Sequence, residues 1–127
     1  MFDKLLKNTV YLKIYMNRFE MKHIESGNQL MVKSARPFTT ERLLVGDFSA
    51  AVEALYPAIQ QLYKDKWLSP SPVIIVQPME MIEGGLSQVE DRLLRELVDR
   101  IGARKVVVWV GHTLSDVEVN NAAYGGI

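Results

Sequence analysis

Two short apolar runs, Val73-Ile74-Ile75-Val76 and Val106-Val107-Val108-Trp109-Val110 (opened by Lys105), bracket one strongly marked helix. This triplet constrains the fold more than any other feature of the chain. A strand with no polar alternation is covered on both faces, as in parallel sheets. Between the runs, Ser87 and Glu90 have the S-x-x-E spacing of a capping box. Val89, Leu93, Leu97 and Ile101 recur at helical spacing, and Gly102 falls where a left-handed cap ends a helix. Asp91 with Arg95 and Glu96 with Arg100 are opposite charges four residues apart, expected on the wet face. Strand, helix and strand at this spacing predict a right-handed parallel crossover.

The N-terminal third follows a different period. In residues 10–16, Val10, Leu12, Ile14 and Met16 alternate with Tyr11, Lys13 and Tyr15. This is the pattern of a strand with one buried face. Residues 18–24 alternate again after a break near Asn17-Arg18. Ser26-Gly27-Asn28 is a second turn, and a third strand runs from Gln29 to Ser34, completing an antiparallel meander. Arg36-Pro37-Phe38 and Gly46-Asp47 frame a loop. A helix follows with Val52, Leu55, Ile59 and Leu62 on one face. Pro57 inside it predicts a kink or a division into two shorter helices. Ser69-Pro70-Ser71-Pro72 stops that segment, and residues 114–127 read as a short element and a tail. The expected order is β-β-β-α-β-α-β, an α/β domain with a mixed five-stranded sheet.

The chain has 127 residues, enough for one domain over 1–127, and shows no repeat or linker. Fifteen lysines and arginines balance fifteen aspartates and glutamates. That leaves no field to gather nucleic acid, and none is expected as a partner. The absence of cysteine removes disulfides, thiolate metal sites and a cysteine nucleophile, and fits the cytoplasm. No apolar run reaches the ~20 residues of a membrane span.

With this order in view, several segments resemble the first subdomain of the actin-like superfamily, which is built on the ribonuclease H-like fold. The MreB rod-shape proteins are the nearest likeness, and the pilus-assembly protein PilM is a second. The lead-in MFDKLLKN, residues 1–8, resembles the basic amphipathic start of those proteins. SARPFTTERLLVGDFSAAVEALYPAIQQLY resembles their loop and first long helix. SPSPVIIVQP is similar to their next strand, LSQVEDRLLRELVDRIGARKVVVW to their following helix and strand, and NNAAYGG to a later small-residue segment. The resemblance implies an ATP site whose first hairpin carries an acid and a glycine turn. There, backbone N–H groups cradle phosphates and the acid organises Mg²⁺. At the matching place stand Tyr15, Met16, Asn17 and Arg18, with neither glycine nor acid. The second phosphate loop belongs to a later domain, expected beyond this chain. The expectation is therefore a degenerate phosphate loop, no cofactor, and a non-catalytic domain acting through a protein partner or self-association in bacterial cell-shape or envelope assembly. The alternative is a residual ATP-binding domain completed by dimerisation or a partner chain.

Other chemistry finds little support. A ribonuclease H-type metal site needs an acid in the middle of strand one, where Lys13 and Tyr15 stand, and Glu20, Glu80 and Glu83 have no matching partner acid. His23 and His112 would have to meet beside a carboxylate to hold a metal, and no metal site is expected. No G-x-S-x-G elbow is present. Glu83-Gly84-Gly85 ahead of the capped helix reads as a flexible turn, since the acid opposes an anion there. Lys33, Arg36 and Arg42 cluster, offset by Glu41 and Asp47. Phe2, Leu5 and Leu6 against Lys4 and Lys7 could touch an anionic membrane peripherally, at the inner face, or pack as a first turn. Tyr11 and Tyr15 point away from Leu12 and Ile14, so they lie either in an interface or under helices.

Overall fold

A computed structural model describes residues 7–62 and 70–125. Strands β1 (Thr9–Tyr15), β2 (Arg18–His23) and β3 (Gln29–Lys33) form the antiparallel meander. Helix α1 (Phe48–Leu62), strand β4 (Val73–Pro78), helix α2 (Gln88–Arg100) and strand β5 (Lys105–Val108) follow, then a short helix α3 (Asp116–Asn120) continued by a π-helical turn over Asn121–Gly125. The sheet order is β3-β2-β1-β4-β5, with β4 parallel to both β1 and β5. β1 is thus central, and every residue of β4 is buried. This accounts for the unbroken apolar run in β4.

One face of the sheet packs against α1 and α2. Val10, Leu12, Ile14, Phe19, Ile74 and Val76 meet Leu55, Ile59, Leu97 and Val98 there. Burying each such side chain stabilises by roughly 1.5–3 kcal/mol. α1 continues through Pro57 as one helix, not two. Pro57 lies exposed, where water can serve the carbonyl one turn back that proline leaves unbonded. Its buried stripe is Ala50, Ala51, Leu55, Ala58, Ile59 and Leu62, with Val52 half-buried beside it.

α2 carries its capping box as expected: the Glu90 N–H donates to Ser87 Oγ, and the Ser87 N–H donates to the Glu90 carboxylate. Gly102 has φ of 103°, the left-handed cap that favours glycine. Two expectations for this helix fail. Val89 is 73% exposed, because Leu94, Leu97 and Val98 form the buried stripe. Glu96 pairs with Arg92 at 3.4 Å instead of Arg100, while Asp91 and Arg95 pair at 2.8 Å as expected.

The second face is covered over β1, β4 and β5 by the C-terminal segment. Val119 and Ala123 pack on Tyr11, Val73 and Ile75. The segment expected as a tail is therefore helical and contributes core. β5 is shorter than its apolar run and only half-buried, as an edge strand.

Candidate functional site

The β1–β2 turn is the place to test for phosphate binding, and it is built as a clasp. The parallel register sets Ile14 opposite Pro78, so the chain leaving β4 passes beside the turn two residues later. There the Met16 N–H donates to Glu80 Oε2 at 2.6 Å. The Asn17 N–H donates to Thr39 Oγ1 at 2.9 Å. Asn17 adopts a φ of 57°, which asparagine tolerates better than most residues. Its side-chain oxygen accepts from the N–H groups of Phe38 at 2.9 Å and Thr39 at 2.8 Å. Both turn amides are thus engaged by the chain itself, one of them by a carboxylate. Phe38, held by this clasp, is fully buried and stacks on Phe19 with ring centroids 4.6 Å apart.

Around the turn, Arg18 lies over the Tyr15 ring at 4.1 Å and reaches Glu20 at 3.4 Å. Burial first, then Glu20, pushes the Tyr15 hydroxyl up. Mid-strand, Lys13 faces Glu20 at 3.8 Å. Lys22 meets Asp116 of α3 at 2.9 Å. Tyr11, Lys13, Glu20, Lys22 and Asp116 line an open depression on the second face in which these four charges are paired.

Tyr11 itself is buried. Its hydroxyl donates to Gln77 Oε1 and accepts from the Leu114 N–H at 3.1 Å, while Gln77 Nε2 donates to the Gly111 carbonyl at 2.8 Å. This buried pair ties the C-terminal segment to the sheet, and burial pushes the Tyr11 hydroxyl up. The histidines have separate settings. His23 Nε2 is 2.8 Å from Asn8 Oδ1 and its Nδ1 is 2.7 Å from Ser26 Oγ, whereas His112 Nε2 sits 2.9 Å from Glu118 Oε2 on the surface. The Glu118 carboxyl is held low, first by the Ser115 N–H and then by His112. Among the described residues no group of three or more histidines and acids could hold a metal ion.

Arg36 is bound by Asp47 and Glu53, both at 2.8 Å. Gly84 and Gly85 form a positive-φ turn before α2. Phe2, Lys4, Leu5 and Leu6 of the candidate membrane contact lie outside the described residues, and Lys7 Nζ stands 5.1 Å from the Tyr124 ring centroid. Among the described residues no helix is long and apolar enough to cross a membrane.

The roles of Glu80, Thr39 and Gln77 were missed from the sequence. The signals were present: Gln77 is the one polar residue in a buried apolar strand, and Glu80 follows a strand predicted to be parallel to another.

No family model matches the chain. It is 35% identical over 96 residues to "Uncharacterized protein YjaA" of Escherichia coli strain K12, an alignment covering 72% of this chain and 74% of that protein. The chain belongs to the YjaA family. The clasp described above is therefore a feature to look for across YjaA relatives.

Proposed function

We propose that this chain is a ribonuclease H-like domain of the actin-like kind whose phosphate turn has become a structural clasp. It works by binding protein in bacterial cell-shape or envelope assembly, not by chemistry. The observation that carries this reading is the Glu80 carboxylate on the Met16 N–H, with Thr39 on the Asn17 N–H. A carboxylate already occupies the place where a phosphate oxygen would accept, and its charge repels an incoming phosphate. Side chains at Tyr15 and Met16 also stand where glycine would allow close approach. The central β1, antiparallel on one side and parallel on the other, supports the fold assignment. The bacterial relative suits the cellular setting.

The competing reading is an ATP-binding domain completed by a second chain. A thermal melt with increasing Mg-ATP separates the two. Ligand at ~100 times its dissociation constant stabilises by about 2.7 kcal/mol, a shift of roughly 5–15 °C for a domain of this size. A flat response is expected. A saturable shift would overturn the proposal.

A further inference from the structure

The protein-binding reading leaves the partner open, and the free edge of the sheet narrows it. β3 is bonded to β2 alone among the described residues. In this pair the His23 N–H donates to the Asn28 carbonyl at 2.8 Å, and the Ser34 N–H donates to the Asn17 carbonyl at 3.0 Å. With the register Met21↔Leu30, Glu20↔Met31 and Phe19↔Val32, antiparallel alternation makes Leu30 and Val32 the inward-bonding residues. The N–H and C=O groups of Gln29, Met31 and Lys33 therefore point outward, away from β2, and meet no backbone partner among the described residues. Natural edge strands are usually blunted by proline, bulges or central charge. Gln29–Lys33 has no proline, pairs with β2 without interruption, and carries its one charge at the end.

We propose that β3 is a homodimer interface, pairing antiparallel with β3 of a second copy about a two-fold axis through Met31. The proposal rests on the protein-binding reading above and names its partner. The reason for choosing a second copy is self-complementarity. Pairing Met31 with its own symmetry mate sets Gln29 against Lys33 of the second copy, so every outward N–H and C=O of these three residues finds a partner. No like charges face each other across the seam, and the Gln29 side-chain oxygen can accept from the lysine. On the same side as α1, Leu30 meets Val32 of the second copy. Both are only half-buried in the single chain, where they open onto a groove walled by Ala54 and Pro57 of α1. On the other face the two Met31 side chains, each 54% exposed in the single chain, cover one another. The result is one continuous sheet through both copies.

Sedimentation of the full chain across a concentration series tests this. The expected result is a reversible monomer–dimer equilibrium. Met31→Pro removes an outward N–H and the Met31 side chain but no hydrogen bond to β2, and should raise the dimer dissociation constant roughly tenfold or more while keeping the melting temperature of the monomer. Met31→Lys, at an exposed position, serves if the proline variant does not fold. It should also be monomeric, and mixing it with Met31→Glu should restore a dimer through opposite charges at the axis. A wild-type chain that stays monomeric at every attainable concentration overturns the proposal, as does a dimer indifferent to both Met31 substitutions. Either failure, with a flat Mg-ATP response, leaves the protein-binding reading standing with another partner; a saturable Mg-ATP shift sinks that reading whatever the oligomeric state.

Discussion

Replacing Asn17 tests the clasp where it is most exposed to failure. Asn17 does two things at once. It holds a backbone φ of 57°, and its side-chain oxygen accepts from the N–H groups of Phe38 and Thr39. Asn17→Ala keeps a β-carbon in the left-handed region, for a cost of about 1 kcal/mol relative to asparagine. It also leaves two N–H donors without their acceptor. These sites are partly buried, so water can replace some of the loss, and about 1–2 kcal/mol is expected for the pair. The total is ~2–3 kcal/mol, a large share of the 5–15 kcal/mol typical of a domain. Asn17→Gly removes the acceptor but relieves the backbone, so it should lose only about 1–2 kcal/mol. Urea unfolding followed by circular dichroism would measure both, with equal slopes marking equal exposed surface. If both variants lose less than about 0.5 kcal/mol, the clasp does not hold the Phe38 loop and the reasoning is wrong.

Further expectations come from other parts of the molecule. Tyr11→Phe strands Gln77 Oε1 and the Leu114 N–H, and should cost about 1–3 kcal/mol by the same urea assay. Tyr124→Phe removes the 2.8 Å hydrogen bond between the Tyr124 hydroxyl and Thr9 Oγ1 and should cost less, because Glu25 still accepts from Thr9 Oγ1 at 2.8 Å. Ser87→Ala breaks the α2 capping box and should lower stability by about 1 kcal/mol, seen as a fall in melting temperature. Burial, opposed by Glu25, holds His23 below the ordinary histidine value of 6.5. The unfolded chain therefore takes up a proton first as pH falls. Native stability should drop as pH passes down from about 7 through that ordinary value, and a His23→Gln variant should lose this part of the dependence in pH-resolved melts.

The fold was legible where a local pattern had only one packing solution. The alternation in 10–24 located the hairpin, though the C-terminal segment buries the second face of β1 at Tyr11 as well, and the apolar run at 73–76 required a strand covered on both faces. The S-x-x-E box located α2 to the residue. Legibility ended where partners come from distant segments. Val89 fits a helical stripe as well as Leu94 does, and only the angle at which α2 meets the sheet decides between them. The C-terminal segment looked like a tail because its polar and small residues hide a one-sided contact through Val119 and Ala123. The clasp needed Thr39 and Glu80, 22 and 64 residues from the amides they accept from, and no local pattern reports that pairing.

The most direct measurement is an amide-resolved NMR titration of the ¹⁵N-labelled chain with Mg-ATP, read at the Met16 and Asn17 N–H signals. With both amides already donating to Glu80 and Thr39, neither signal should move. A saturable shift at either one, accompanied by release of the Glu80 carboxylate, would mean that the turn still receives phosphate and would contradict the account.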